Sequence, residues 1–311
     1  MSSPYKKVAF YTLGCKLNFS ETSTIARDFV SAGYSTVNFA DDADVYVINT
    51  CSVTDNADSK TNRLIRKIKK KSPDSYIAII GCYAQLKTEQ ISEIPGVDIV
   101  IGAGDKFNLP KYLDKYYETK EVVFSKSNIN DINQFVPSYS IDERTRSFIK
   151  VQDGCDYSCS FCTIPLARGK SRSGRIADIL DSINDICQSG IKEVVLSGIN
   201  VGDFGVYNGE SLFTLLNEIE LIKDLHRCRI SSIEPNLLSD EIINLIAKSN
   251  KILPHFHIPL QSGSDRILKL MKRRYNVELY IEKIKKIKET IPDCCIGVDV
   301  IVGFPSENQE D

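Results

Sequence analysis

Val45-Tyr46-Val47-Ile48-Asn49-Thr50-Cys51 is an apolar, β-branched run that ends in two polar residues and a cysteine. A similar arrangement lies on either side of it. Upstream, Val8-Ala9-Phe10-Tyr11-Thr12 leads into Leu13-Gly14-Cys15; downstream, Tyr76-Ile77-Ala78-Ile79-Ile80 leads into Gly81-Cys82. Short runs rich in Val, Ile and aromatic residues read as strands. Helical patterns separate them, near residues 20–32 (closed by Gly33) and near 55–71 (closed by Ser72-Pro73). A helix near 88–94, the strand Val97-Asp98-Ile99-Val100-Ile101 and a helix near 108–117 follow. Strands alternating with helices at this spacing predict an α/β fold with a parallel, doubly wound sheet. Right-handed crossovers bring all C-terminal strand ends to one edge, where open α/β sheets bind ligands. Cys15, Cys51 and Cys82, 36 and 31 residues apart (51−15 and 82−51), are therefore expected to converge. One such cysteine would usually be a core residue; three at equivalent positions favour a ligand set.

The periodicity lapses after residue 125. Residues 126–146 are polar and Asn-rich in their first half and read as a linker. Beyond it the alternation resumes. Strands are expected at 147–152, 192–197, 227–233, 255–259 and 294–302, with helices near 176–189, 211–222 and 239–248 and two basic helices across 265–290. About five βα units suit a partial (β/α) barrel better than a flat sheet. The expected organisation is a domain at 1–125, the linker, and a barrel domain at 147–311 that is incomplete at its C-terminal end.

The composition sets limits. The 311 residues carry 39 basic and 41 acidic side chains, a net charge of −2, so any nucleic-acid surface must be local. There is no apolar run of about 18 residues and no expected membrane span or membrane partner. The N-terminus passes directly into a strand pattern without a signal-peptide core. Ten cysteines without a secretion signal argue for reduced thiols or metal ligands and a cytoplasmic location.

A second trio is compact. Gly154-Cys155-Asp156-Tyr157-Ser158-Cys159-Ser160-Phe161-Cys162 follows the first strand of the second domain. An iron–sulfur cube normally takes four thiolates; three leave one iron open to another ligand. Structural zinc would want four ligands in two close pairs, and no second Cys or His pair lies nearby. The polar Asp156, Ser158 and Ser160 argue against three buried core cysteines.

Cys155-x3-Cys159-x-Phe161-Cys162 resembles the signature of radical S-adenosylmethionine enzymes. That resemblance implies a 4Fe-4S cluster on the three cysteines, with S-adenosylmethionine chelated to the open iron and Phe161 near its adenine. Thr12-Leu13-Gly14-Cys15-Lys16-Leu17-Asn18, Asn49-Thr50-Cys51-Ser52-Val53-Thr54 and Gly81-Cys82-Tyr83-Ala84-Gln85 resemble the N-terminal domain of the methylthiotransferases. There an auxiliary 4Fe-4S cluster holds the sulfur to be transferred. The similarity continues through Pro165–Ser173, His257–Ser264, Met271–Tyr275 and Asp299–Glu307. Cys15-Lys16-Leu17-Asn18 looks like the bacterial branch acting on N6-threonylcarbamoyladenosine in tRNA. The isopentenyladenosine branch tends to carry Gln-Met-Asn there, and the ribosomal-protein branch Pro-Lys-Asn. What the resemblance implies is radical methylthiolation at C2 of the adenine at position 37, beside the anticodon. It implies a reductant such as flavodoxin or ferredoxin and a sulfur donor as further partners. The resemblance implies more barrel and a small RNA-binding domain beyond the position of Asp311, so the barrel within these residues is expected to be incomplete. A non-catalytic iron–sulfur or zinc module is the alternative of another class.

By position and resemblance, Ser197 and Gly198, Glu234, Gln261, Asp299 and Gly303 are candidate cofactor contacts at the ends of successive barrel strands. Gly303 is expected to permit close approach of the adenosyl group. Arg168, Lys170, Arg172 and Arg175 border the expected barrel mouth and are candidate RNA contacts. Two basic stretches, 63–71 and 266–288, could also meet phosphates, against the commoner reading of a solvated helix face. His226 reads as a surface residue, and His257 as inward-facing or a satisfied core histidine. Cys187, Cys228, Cys294 and Cys295 read as inert packing residues.

Overall fold

The structure is a computed structural model that describes residues 6–51, 55–119, 121–141 and 145–311, and the side chains of these except residues 55–58. The expected Ser52-Val53-Thr54 part of the second cysteine motif lies outside the described residues. The chain divides into two compact units.

The first unit contains β1 (Lys7–Thr12), α1 (Lys16–Ser31), β2 (Ser35–Val37), β3 (Val45–Thr50), α2 (Asp55–Lys71), β4 (Tyr76–Gly81), α3 (Cys82–Leu86), α4 (Thr88–Ser92), β5 (Ile99–Ile101), α5 (Leu109–Thr119) and β6 (Val123–Ser125). All pairings are parallel, in the order β2-β1-β3-β4-β5-β6. Both faces are buried, which is why β3 reads as a continuous apolar run. Its residues still alternate between two cores. Val45 and Val47 pack with Ile25 and Phe29 of α1 and Leu109 and Leu113 of α5. Tyr46 and Ile48 pack with Ile65 and Ile68 of α2 and Ile91 of α4. The strand order reverses between β1 and β3, making the switch point at which doubly wound sheets bind ligands.

The expected linker is partly built into this unit. Gln85 donates to the Ser127 carbonyl at 2.9 Å, and the Ser127 hydroxyl to Asp105 at 2.9 Å. The short strand β7 (Ser138–Tyr139) returns to α1, where Arg27 donates to the Tyr139 carbonyl at 3.0 Å. Residues 163–170 also belong here, so the expected boundary at 125 differs from the observed division: polar and buried ionic contacts tie later segments to the first sheet.

The second unit holds β8 (Ser147–Lys150), β9 (Gln152–Asp153), β10 (Arg172–Ser173), α7 (Ile176–Gln188), β11 (Glu193–Ser197), α8 (Leu212–Glu220), β12 (Arg227–Ile230), α9 (Asp240–Lys248), β13 (His255–His257), α10 (Asp265–Leu270), α11 (Val277–Thr290) and β14 (Cys295–Gly297). The helix α6 (Ile164–Arg168) interrupts this series in sequence but packs in the first unit. Strands β8, β11 and β12 pair in parallel, bridges at Cys228–Ile252 and Ser232–His257 carry the sheet on toward β13, and β13 pairs in parallel with β14. These are five successive staves of the expected partial barrel. Ser211, Ser239, Ser264 and Asn276 cap the helices α8 to α11 through their side chains.

Candidate active site

In the first unit the three dispersed cysteines come to one edge. Thr12 lies opposite Asn49, and Thr50 opposite Gly81, so Cys15, Cys51 and Cys82 leave the C-terminal ends of three adjacent strands. Two glycines allow the approach. A Cβ on Gly14 would lie 2.6 Å from the Cys51 Cβ, and one on Gly81 would lie 2.4 Å from the Thr50 carbonyl oxygen. Their φ angles, +108° and +98°, are also ones that side chains resist. Cys15 is exposed, Cys51 half-buried and Cys82 buried.

A buried polar network fixes this edge. The Asn18 amide donates to the carbonyls of Leu13 (2.8 Å) and Thr50 (3.1 Å), the residues just before Gly14-Cys15 and Cys51. Asn18 in turn accepts from Arg168 at 2.6 Å. Arg168 also forks onto Glu21, at 3.1 and 3.3 Å, and Lys106 reaches the same carboxylate at 2.6 Å. Glu21 is 0% exposed, Arg168 1% and Lys106 2%. The expectation that Arg168 meets RNA is thereby corrected: its guanidinium is buried and committed to Glu21 and Asn18.

The second trio lies in the loop after β9. Tyr157 donates its backbone N–H to Cys155 Sγ at 3.4 Å, and Arg273 Nη1 donates to Cys159 Sγ at 3.1 Å. Ser160 anchors the loop to the Leu270 and Met271 carbonyls. Gln152, fully buried, is the organiser. Its amide N–H2 donates to Gly154 O (2.7 Å) and Ser171 Oγ (3.0 Å), while its carbonyl accepts from Ile199 N (2.8 Å) and Asn200 N (3.0 Å). One side chain thus stitches the cysteine loop to the turn after β11. A Cβ on Gly198 would sit 2.9 Å from the Gln152 carbonyl oxygen.

The electrostatics are anionic, answered by Arg273 and Arg274. Burial pushes the Cys155 thiol up to about 12; the Tyr157 N–H opposes this, and the Asp203 and Glu234 carboxylates add to it. Burial likewise raises Glu234, although Arg273 pairs with it at 2.7 Å and pulls the other way. Asp203 is raised by burial against the hydrogen bonds it accepts from Tyr157 and Asn200, both 3.1 Å. Arg274 lies 3.8 Å from the centre of the Tyr157 ring.

The remaining expected contacts sit at or just past strand ends. Ser197 is buried at the end of β11, and Glu234 follows β12. Gln261, at φ +64°, accepts from Ile301 N at 2.8 Å and donates its own N–H to the Asp299 carbonyl at 2.9 Å. Asp299 pairs with His257 Nε2 at 3.1 Å, and Ser232 holds the other ring nitrogen at 2.6 Å. Phe161 is exposed. Gly303 has φ +75° and open space where a Cβ would point, so its backbone angle is what calls for glycine. Of the basic candidates, Arg172 is committed to Asp153 (2.9 Å) and the Gln134 carbonyl (3.1 Å). Arg175 is exposed and 3.7 Å from Asp178; Lys170 is exposed. Cys187, Cys228 and Cys294 are buried as expected, but Cys295 is exposed, because it opens the short outermost strand β14.

Both trios are soft donor sets suited to iron–sulfur chemistry. None of the ten cysteines forms a disulfide. Among the described residues no three His, Cys, Asp or Glu side chains close around a single metal ion. A cube asks for less, since each thiolate binds a different iron at a separate corner.

The comparisons with known proteins agree with this anatomy. Residues 7–102 match the uncharacterized protein family UPF0004, and residues 149–311 the radical SAM superfamily. The threonylcarbamoyladenosine tRNA methylthiotransferase MtaB of Bacillus subtilis is 41% identical over 310 residues, covering 98% of this chain and 68% of that protein. The Aquifex aeolicus protein of the same name is 40% identical, covering 98% and 75%. The tRNA-2-methylthio-N(6)-dimethylallyladenosine synthase of Bacillus subtilis is 34% identical, covering 98% and 62%. Among solved structures, the radical S-adenosylmethionine methyltransferase TsrM of Kitasatospora setae superposes with a TM-score of 0.69 at 12% identity, covering 98% of this chain and 69% of that one. That likeness speaks for the fold alone. The sequence relatives speak for more: the chain belongs to the radical S-adenosylmethionine methylthiotransferase family, on its MtaB branch.

Proposed function

We propose that the protein adds a methylthio group at C2 of N6-threonylcarbamoyladenosine, at position 37 beside the anticodon of tRNA. The observation that carries the reading is the pair of three-cysteine sets, one at the C-terminal edge of the first unit's parallel strands and one in the single loop after β9, in a chain 36–41% identical to MtaB proteins. Relatives named for the dimethylallyladenosine reaction stand at 34–35%, which favours the threonylcarbamoyl substrate.

In this reading Cys155, Cys159 and Cys162 hold one 4Fe-4S cluster, and Cys15, Cys51 and Cys82 a second. Together with S-adenosylmethionine, these groups supply the one-electron and sulfur chemistry that an inert ring C–H requires. The protein's share is positioning. Arg273 offsets the thiolate charge at Cys159, and Gln152 holds the cysteine loop against the Ser197–Asn200 turn. Glu234, Asp299 and Gln261 are acceptors at neighbouring strand ends, available to an amino group and to ribose hydroxyls. Asn18 and Arg168 keep the backbone ahead of Cys15 and Cys51 in register. The scarcity of paired acid–base side chains suits chemistry done by cofactors. The partners are a tRNA, a one-electron reductant such as flavodoxin or ferredoxin, and a sulfur donor, in the cytoplasm. Among the described residues no helix is long and apolar enough to cross a membrane. Mass spectrometry of nucleosides from tRNA of a strain lacking the gene tests this. Loss of 2-methylthio-N6-threonylcarbamoyladenosine, restored by the gene, is expected; an unchanged level refutes the substrate.

A further inference from the structure

We propose that the outer face of α2 is a docking surface for the phosphate backbone of the tRNA substrate. The proposal rests on the function above and names where that substrate is gripped. Residues 59–71 carry seven Lys or Arg and no Asp or Glu, in a chain whose net charge is −2. Two of the seven are committed: Lys69 to Asp98 at 3.5 Å, and Lys71 to Asp42 at 3.3 Å. The other five, Lys60, Arg63, Arg66, Lys67 and Lys70, are exposed, with no ion pair or side-chain hydrogen bond among the described residues.

Their spacing makes a stripe. Lys60, Arg63, Lys67 and Lys70 follow one another at three, four and three residues, which keeps them on one side of a helix. Ten residues of helix span about 15 Å, roughly four to five phosphate repeats along one strand. Like charges at these spacings repel and cost the helix a few tenths of a kcal/mol per pair. A face that served only solubility would relieve this with acids. The basic helix α11 does so, setting Glu278, Glu282 and Glu289 among its lysines. Helix α2 confines its two acids, Asp55 and Asp58, to its first turn, neither of them three or four residues from a cation of the stripe, and leaves the repulsion in place.

Of the four other cations expected to meet RNA, two are spent, Arg168 on Glu21 and Asn18 and Arg172 on Asp153, leaving Lys170 and Arg175 exposed. A membrane surface is the rival polyanion. The side of α2 opposite the stripe buries Ile65 and Ile68 in the core, so no apolar face remains to enter lipid.

The test is binding of unmodified tRNA, followed by fluorescence anisotropy across a potassium chloride series. It compares the unaltered protein with Arg63→Gln/Lys67→Gln/Lys70→Gln and with Lys285→Gln/Lys286→Gln on α11. Each lost phosphate contact lowers the slope of log affinity against log salt by roughly 0.7 to 0.9. The triple variant should lose about 2 to 3 from the slope and at least tenfold in affinity at low salt. It should unfold no more readily than the unaltered protein, and the α11 variant should keep its slope. If the triple variant binds with unchanged slope while the unaltered protein forms the methylthio product, the docking face is wrong and the function stands. If the unaltered protein neither binds nor modifies tRNA, both fall. Binding to phosphatidylserine vesicles that the triple variant loses, with tRNA binding intact, overturns the proposal in favour of a membrane.

Discussion

Substituting Glu21 by Gln should be the most damaging single change in the buried network beneath Cys15 and Cys51. The carboxylate is fully buried and shared by two cations, Arg168 at 3.1 and 3.3 Å and Lys106 at 2.6 Å. Removing one partner of a buried ion pair costs about 3–5 kcal/mol, mostly the penalty of the charge left behind. Glu21→Gln takes the shared anion from both cations, so at least about 3 kcal/mol is expected, more than a hundredfold in the unfolding constant. Lys106→Met leaves the forked Arg168–Glu21 pair intact and should cost the least, about 1 kcal/mol. Arg168→Met leaves Lys106 on Glu21 but frees Asn18, and should fall between. The assay is urea unfolding of the reduced apoprotein by far-UV circular dichroism, with hydrogen exchange of α1 and β3 assigning the effect to the first unit. The reasoning is refuted if Glu21→Gln lies within about 1 kcal/mol of the unaltered protein, or if Lys106→Met costs more than Glu21→Gln.

Three further outcomes follow from the geometry. Gly81→Ala puts a methyl group 2.4 Å from the Thr50 carbonyl at φ +98°, so iron bound by the first trio should drop by half or more, measured with the loop cysteines replaced by alanine; full occupancy would contradict the close approach. Arg273→Gln removes a charged donor to Cys159 Sγ, and hydrogen bonds to cluster sulfurs raise reduction potentials. A redox titration followed by electron paramagnetic resonance should show a fall of about 59 mV or more, a tenfold effect for one electron; an unchanged or higher potential rejects it. Burial alone would raise Glu193, but Arg229 and Arg227, both at 2.8 Å, outweigh it and hold the carboxyl below its usual value. A depressed carboxyl stabilises the fold above its unfolded-state pKa, about 4.3, and loses that contribution as pH falls through the folded value. Glu193→Gln should therefore destabilise at pH 7 and converge with the unaltered protein as pH falls through the folded value, read as denaturation midpoints against pH; a gap that persists in acid disproves the link.

The four inner strands of the first sheet were readable because buried parallel strands leave an unmixed apolar signature, as in Val45–Ile48 and Tyr76–Ile80, and because topology alone carries three cysteines to one edge; the edge strands β2 and β6, three residues each and partly exposed, left no such run. Among the barrel strands only β11 repeats that signature, the others being mixed in sequence and placed by their alternation with helices; α3, which starts at Cys82 itself, was not readable, being five residues long with no apolar period. Burial of charge was hidden. Arg168 looks like a surface cation in a Lys/Arg-rich loop, and its partner Glu21 lies 147 residues away. Arg273 was visible as part of a basic stretch and of the Met271–Tyr275 resemblance, neither of which says that its guanidinium reaches Cys159, 114 residues distant. Gln152 carried no sequence signal at all: a glutamine ending a strand is ordinary until both ends of its amide are seen to be occupied. Local pattern reports period and turn chemistry, whereas these roles depend on long-range pairing.

The most direct test of the central claim is iron and acid-labile sulfide analysis of anaerobically reconstituted protein. Two cubes require about eight irons per chain. Replacing Cys155, Cys159 and Cys162 together, or Cys15, Cys51 and Cys82 together, should each leave about four. About four irons in the unaltered protein, undiminished when Cys15, Cys51 and Cys82 are replaced, would contradict the account, and so would stoichiometric zinc in place of iron.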